Sequence, residues 1–311
     1  MLTQTQSNSI RSFLSTLASH RTLIFAWTIM LLVSHVPDVL WREVIGGTGW
    51  LYWPKVGLLA AVTVASLLWT PLRPLRPFAL ILIVIFVASE LFAGLSRTPF
   101  WQRWFGGDGA PFNTAMLSIQ VQRMAVTLIA IAALLMMGYR RQECYLTIGQ
   151  LDAPAAPIRL FGMRSAEPWT RFGRNFAIFI SLGTLAFLFM SMRPAPATLL
   201  GVLPALPAVL LLAAMNAFSE EVSYRAALLG TLNGPLTPGQ AVWLSAVFFG
   251  IGHYYGVPYG PVGVVMATFL GWLLGKAMVE TKGLFWPWFI HFLQDVWIFS
   301  FMALGPVGSG S

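Results

Sequence analysis

Two adjacent glutamates, Glu220 and Glu221, stand between two long apolar runs of the sequence, with Arg225 shortly after them. Glu221 and Arg225 are four residues apart, so on a helix they share a face and can form an ion pair. Ionised side chains near the centre of a membrane helix cost about 2.5–3.5 kcal/mol each on insertion scales, so they usually pair or line a polar cavity. We interpret Glu221 and Arg225 as a structural ion pair. Glu220 points about 100° away from Glu221 on the helix, so it is the glutamate that we expect to face the reactive site.

Three further ionisable residues follow: His253 ends the stretch "FFGIGH", and His291 and Asp295 bound "HFLQD". His291 and Asp295 share one helix face, as do Phe249 and His253, because each pair is four residues apart. With a rise of about 1.5 Å per residue, all these ionisable groups and Glu220 can reach one level of a membrane. Carboxylates and imidazoles can activate water and stabilise an oxyanion, as peptide hydrolysis requires. The sequence therefore predicts one polar site built from three helices.

The same residue types also suit other functions. Relays of Glu, His and Asp occur in proton-coupled transporters and channels, but here they are confined to the last third of a chain without an internal repeat. The set could also ligate zinc, although no HExxH motif is present. A single membrane histidine is about as often a hydrogen-bonding residue between helices as a functional group. Arg123 lies within another apolar segment, where it could pair or snorkel, and the sequence assigns it no chemistry.

The composition indicates a helical membrane protein. Of the 311 residues, 57% are hydrophobic and only 10% are charged, whereas soluble proteins carry about 25% charged residues. The apolar runs are long and continuous, which favours helices over a barrel. We predict an all-α, polytopic transmembrane bundle of eight to nine spans with an intramembrane polar site in its C-terminal third. The apolar segments are 22–36, 51–71, 78–96, 115–138, 175–192, 203–232, 238–255, 261–279 and 284–304.

Basic residues predict the orientation of the chain. If the N-terminus lies inside and the segments alternate, most of the 19 lysines and arginines fall on the inner side, as cytoplasmic loops require. The net charge of +8 is therefore explained by topology, without a nucleic-acid partner. We expect a protein of the bacterial cytoplasmic membrane with its N-terminus in the cytoplasm. The expected domains are N-terminal membrane helices over 1–200 with a basic loop near 139–174, catalytic helices over 201–305, and a flexible tail at 306–311.

Three motifs, taken together, resemble one protein family. "EEVSYR" looks like EExxxR, "FGIGH" looks like FxxxH, and "HFLQD" looks like Hxxx(N/D). In this order on successive membrane helices they resemble the CPBP family, which contains CAAX prenyl endopeptidases and bacteriocin-processing enzymes, also called Abi proteins. The resemblance covers about residues 203–304.

The resemblance implies a glutamate-dependent intramembrane endopeptidase that needs no metal or other cofactor. By it, Glu220 and His253 activate water, while His291 and Asp295 stabilise the oxyanion. The implied substrate is a membrane-anchored or membrane-inserted protein or peptide, reached within or at the lipid bilayer. The residues implied to support the site are Glu221, Arg225 and Phe249.

The chain departs from the family pattern at two positions. Ala226 follows the motif arginine where family members often have Gly, and Asp295 stands where the prenyl endopeptidases have Asn. An ionised Asp cannot donate a hydrogen bond, so Asp295 is either protonated or instead orients His291. Two alternatives to an endopeptidase stay open: a proton-coupled membrane transporter, and a catalytically inactive membrane immunity or scaffold protein.

Overall fold

The computed structural model describes residues 20–47, 51–107 and 109–304. Within these ranges the chain is mostly helical, with two strands of two residues each, which confirms the predicted all-α class. The predicted flexible tail at 306–311 lies outside the described residues.

The helices alternate with short connections, except for one long segment between α6 and α7. The first seven are α1 His20–Val33, α2 Val36–Val44, α3 Tyr52–Leu68, α4 Arg76–Ser96, α5 Pro99–Phe105, α6 Phe112–Met136 and α7 Trp169–Met192. The next six are α8 Pro196–Leu200, α9 Leu206–Glu220, α10 Ala227–Leu232, α11 Pro238–Ile251, α12 Pro261–Thr281 and α13 Phe285–Ala303. Shorter elements are 3₁₀ turns at Thr70–Leu75, Arg159–Phe161 and Leu203–Ala205, a π-helix at Glu221–Ala226, and strands β1 Pro154–Ala155 and β2 Glu167–Pro168.

Fewer helices can span a membrane than the predicted eight to nine. By length and apolarity, five helical segments of the described chain qualify, or six if the bent pair α1–α2 is one span. Three predicted segments fall outside this set: α3 and α11 are apolar but have only 17 and 14 residues, and α13 has 19 residues but carries the polar residues His291, Gln294 and Asp295. The five segments are Thr70–Ser96, Phe112–Met136, Trp169–Met192, Thr198–Leu232 and Pro261–Thr281.

By packing, the described chain divides into two compact units. The first unit contains the residues up to Phe86 together with Ala227–Gly275, and the second contains Val87–Ala226 together with the residues from Lys276 onward. This division separates α10 to α12, up to Gly275, from α9 and α13. The domain boundary predicted near residue 200 follows sequence motifs instead of packing, and it stays a prediction.

In the second unit, α13 packs along α9 and α7, and α6 packs against α9. The indole Nε1 of Trp288 donates to the carbonyl of Ala214 on α9 at 3.1 Å. On the other side, α7 approaches closely because it has glycine at position 173: a Cβ there would lie 2.6 Å from the ring of Trp286. These contacts fix α13 against both neighbours and thereby fix the side chains that it carries.

The long segment between α6 and α7 secures the start of α13. Its two short strands pair in antiparallel fashion, and the N–H of Leu284 donates to the carbonyl of Thr147 at 2.8 Å. The indole Nε1 of Trp286 donates to the carbonyl of Leu151 at 2.9 Å. The segment predicted as a basic loop is therefore ordered, and it sets the position from which α13 begins.

Candidate active site

The two glutamates lie at a junction between two types of helix. Glu220 is the last residue of α9, and Glu221 begins the π-helix Glu221–Ala226. Both lie within the apolar span Thr198–Leu232. Short π-helical turns inside α-helices occur frequently at functional sites, and here the turn contains the whole EExxxR motif apart from its first residue.

A fully buried ion pair anchors this junction. Oε1 of Glu221 lies 3.1 Å from Nη1 of Arg225, and neither side chain has any exposed surface. The pairing expected from the four-residue spacing is therefore present. Each charge makes burial of the other tolerable, because an isolated buried charge is far more costly than a pair.

The same carboxylate orients His291 of α13. Nδ1 of His291 lies 2.7 Å from Oε1 of Glu221, which is a hydrogen-bond distance. Because an ionised carboxylate only accepts hydrogen bonds, Nδ1 must carry the proton. The ring then presents Nε2 to two other carboxylates, 3.6 Å from Oε2 of Glu220 and 3.7 Å from Oδ2 of Asp295.

Glu220 has a cationic partner on another helix. Nη1 of Arg123, on α6, donates to Oε1 of Glu220 at 2.5 Å. The side chain of Glu220 is 15% exposed and that of Arg123 is 46% exposed, in contrast to the closed pair formed by Glu221. Glu220 is thus the more accessible of the two motif glutamates.

Two amide side chains complete the polar cluster. Nδ2 of Asn216 donates to Oδ2 of Asp295 at 2.9 Å. Oδ1 of Asn216 accepts from Nε2 of Gln120 at 3.2 Å and also from Arg123. The cluster therefore draws on three helices of the second unit, α6, α9 and α13, together with the π-helix.

Sequence reasoning missed Arg123, Asn216 and Gln120. A signal was nevertheless present: Asn216 precedes Glu220 by four residues, and Gln120 precedes Arg123 by three, so each pair shares a helix face. Polar residues repeated at helical spacing within apolar segments point to a buried polar contact. Nothing in the sequence says that the two faces meet.

The remaining two predicted residues lie in the first unit. Phe249 is on α11, and His253 follows in the turn after that helix. Nδ1 of His253 lies 2.9 Å from the carbonyl oxygen of Phe249, and the two rings are in contact, with centroids 4.4 Å apart and planes tilted by 54°. The four-residue spacing therefore does bring this pair into contact. The catalytic role of His253 stays a prediction that rests on the family resemblance.

Residues 202–297 match the family model described as Rce1-like, type II CAAX prenyl endopeptidase. The match confirms the resemblance to the CAAX-protease family for the part of the chain that carries all three motifs. The rest of the chain lies outside the match, including α6 with Arg123. Neither curated proteins nor solved structures gave a match to this chain.

The CAAX-protease-like segment belongs to an integral membrane protein, since the described part of the chain has five or six helices that are long and apolar enough to span a bilayer. Among the described residues, no group of three or more His, Cys, Asp or Glu side chains has a geometry that could hold a metal ion. What the geometry does provide is a histidine with a fixed ring, placed between a more accessible glutamate and an aspartate.

The two motif glutamates should differ sharply in their contribution to stability. Glu221→Gln leaves the buried guanidinium of Arg225 without its counter-charge, and removing one partner of a buried pair typically costs about 3–5 kcal/mol. Glu220→Gln affects a more exposed group and should cost much less. Thermal unfolding of both variants in the same detergent tests this. The double variant Glu221→Gln/Arg225→Met should recover part of the loss, and equal melting temperatures for the two single variants would contradict the assignment.

Proposed function

We propose that this protein is an endopeptidase that hydrolyses a peptide bond of a membrane-anchored or membrane-inserted protein, with Glu220 as the general base. The observation that carries the proposal is the contrast between the two glutamates. Glu221 is closed off by Arg225 and His291, whereas Glu220 is partly exposed and has Oε2 near Nε2 of His291. A base must be reachable by water and substrate, and only Glu220 meets that condition.

The cluster has a charge balance suited to proton transfer. Its three carboxylates, Glu220, Glu221 and Asp295, face two guanidinium groups, those of Arg123 and Arg225. One negative charge is left over, and unbalanced charge is costly in an apolar span. One additional proton, held on His291, Asp295 or Glu220, makes the cluster neutral.

The proposed reaction is general-base hydrolysis. Glu220 takes a proton from water as the water oxygen attacks the carbonyl carbon, and the carbonyl π electrons move to the oxygen to form an oxyanion. The carbon–nitrogen bond then breaks, and the proton held by Glu220 passes to the departing nitrogen. The family resemblance implies that His253 also takes part in the activation of water.

His291 and Asp295 are proposed to donate hydrogen bonds to the oxyanion. Because Nδ1 of His291 already donates to Glu221, only Nε2 can serve the substrate, and it donates only when the ring is protonated. Asp295 can donate only when it is protonated. Because the neutral cluster holds one additional proton and Glu220 must be ionised to act as the base, that proton lets either His291 or Asp295 donate, and not both at once. The alternative, in which Asp295 fixes the tautomer by bonding to Nδ1 as in a triad, lacks support because Glu221 takes that position.

The substrate class and orientation are part of the proposal. Membrane-spanning helices and the CAAX-protease family support a substrate that meets the enzyme at the lipid bilayer. The distribution of basic residues supports a cytoplasmic N-terminus, and the excess of arginine over lysine is associated with bacterial, GC-rich genomes. Leader peptides, sorting tails and lipid-anchored protein ends are all chemically suitable.

A comparison of membrane-protein termini tests the function. Cells expressing wild type should contain new peptide termini that are missing when Glu220→Gln is expressed at the same level, because the amide cannot act as a base. The measurement is mass spectrometry of terminal peptides from the membrane fraction. Arg103→Gln, a surface change on α5 in the same unit, is the matched control and should give the wild-type pattern. Identical termini in wild-type and Glu220→Gln cells would refute the proposal.

Catalysis should not require a metal, as the family resemblance implies. The purified protein should retain its activity after treatment with EDTA or phenanthroline, and elemental analysis should find no stoichiometric zinc. Activity lost with the chelator and restored by added zinc would instead make Glu220, His253, His291 and Asp295 candidate metal ligands.

Variants at Asp295 separate a donor from an orienting residue. If a protonated Asp295 donates to the oxyanion, Asp295→Asn should stay active and extend its activity to higher pH, because an amide keeps its donors at every pH. Asp295→Ala should lose about 10²–10³-fold in turnover, the usual cost of one oxyanion donor. Rate profiles against pH for the three proteins give the answer. If the Asn variant is folded but as inactive as the Ala variant, the donor role is excluded.

A further inference from the structure

We propose that Arg123 is a positioning residue for the general base and, through Asn216, for Asp295. The inference rests on the proposed function and extends it to α6, which lies outside the family-matched segment 202–297. Sequence reasoning gave Arg123 no chemistry, so the assignment comes from the contacts of its guanidinium group.

One guanidinium nitrogen joins both halves of the proposed site. Nη1 of Arg123 donates to Oε1 of Glu220 at 2.5 Å and also to Oδ1 of Asn216. Asn216 in turn donates from Nδ2 to Oδ2 of Asp295 at 2.9 Å. A continuous path of hydrogen bonds therefore runs from α6 to the proposed base and, by way of α9, to the aspartate on α13.

The direction of the amide of Asn216 is fixed by its partners. Its Oδ1 receives hydrogen bonds from Gln120 and Arg123, and a guanidinium group can only donate. Nδ2 must therefore face Asp295, which places a donor on Oδ2. If Arg123 is removed, the bond from Gln120 still holds the amide, so the larger consequence falls on Glu220.

The two carboxylate oxygens of Glu220 have different neighbours. Oε1 is held by the guanidinium, whereas Oε2 lies 3.6 Å from Nε2 of His291. Rotation of the carboxylate is thereby restricted, and Oε2 is presented toward the imidazole of His291.

The test compares enzyme variants at Arg123 by their rates of cleavage of a quenched fluorescent peptide. The peptide contains a bond that the wild type cleaves and that Glu220→Gln does not. Arg123→Gln removes the charge and should lower kcat by about 10²-fold, the scale expected when a reacting group is misplaced by about 1 Å. KM should not change, because Arg123 does not contact the substrate in this proposal. Arg123→Lys keeps the charge and a donor and should restore kcat to within about tenfold of wild type, with the shortfall due to its different geometry.

One matched control isolates the effect. Arg103→Gln removes an equivalent charge from the adjacent helix α5 and should leave both constants unchanged. Melting temperatures confirm that each variant is folded.

The outcomes separate this inference from the proposed function. A wild-type protein that cleaves nothing in a Glu220-dependent way refutes the function itself. If the wild type is active, the inference is overturned by a folded Arg123→Gln variant with normal kcat, or by one whose KM alone rises. If Arg123→Gln does not fold, Arg123→Lys decides: a folded lysine variant with kcat within about tenfold supports the inference, and a larger loss overturns it.

Discussion

The site depends on one buried ion pair, formed by Glu221 and Arg225 within the π-helix. Neither side chain is exposed, and in an apolar span neither charge is tolerable without the other. The pair therefore fixes Glu221, and the oxygen that contacts Arg225 also binds Nδ1 of His291. A structural requirement, compensation of a buried charge, thus sets the ring orientation of a histidine on a different helix.

Packing of α13 supplies the second constraint. The helix is held against α9 by Trp288 and against α7 by the close approach of Gly173 to Trp286. Oγ1 of Thr184 also donates to Oε1 of Gln294 at 2.6 Å. Because Gln294 immediately precedes Asp295, these contacts set both the rotation and the height of the helix. The positions of His291 and Asp295 thus follow from packing as well as from polar contacts.

The sequence predicts well those features of the site that lie within the three motifs. Charges at four-residue spacing in apolar sequence identify Glu221 with Arg225, and the order of the motifs identifies the family. These features are local, so they can be recognised without knowing which helices meet.

The π-helix is different, because its extra residue per turn leaves no clear pattern in a six-residue stretch. The contacts of Arg123 and Asn216 depend on α6 meeting α9, which lies about a hundred residues later in the chain, and no local pattern encodes that meeting. By length and apolarity the described chain has five or six spans instead of eight or nine, partly because α3 and α11 are apolar but have only 17 and 14 residues.

The contact with Glu221 holds His291 with its proton on Nδ1. Nitrogen-15 NMR of histidine-labelled protein in lipid bilayers measures this directly, with the signal of His291 assigned by its absence in His291→Gln. We expect a protonated Nδ1 at every pH at which the protein is folded, and a change in the Nδ1 signal when Glu221 is replaced by Gln. A neutral ring that carries its proton on Nε2 instead, or an Nδ1 signal that does not respond to Glu221→Gln in a folded protein, would contradict it.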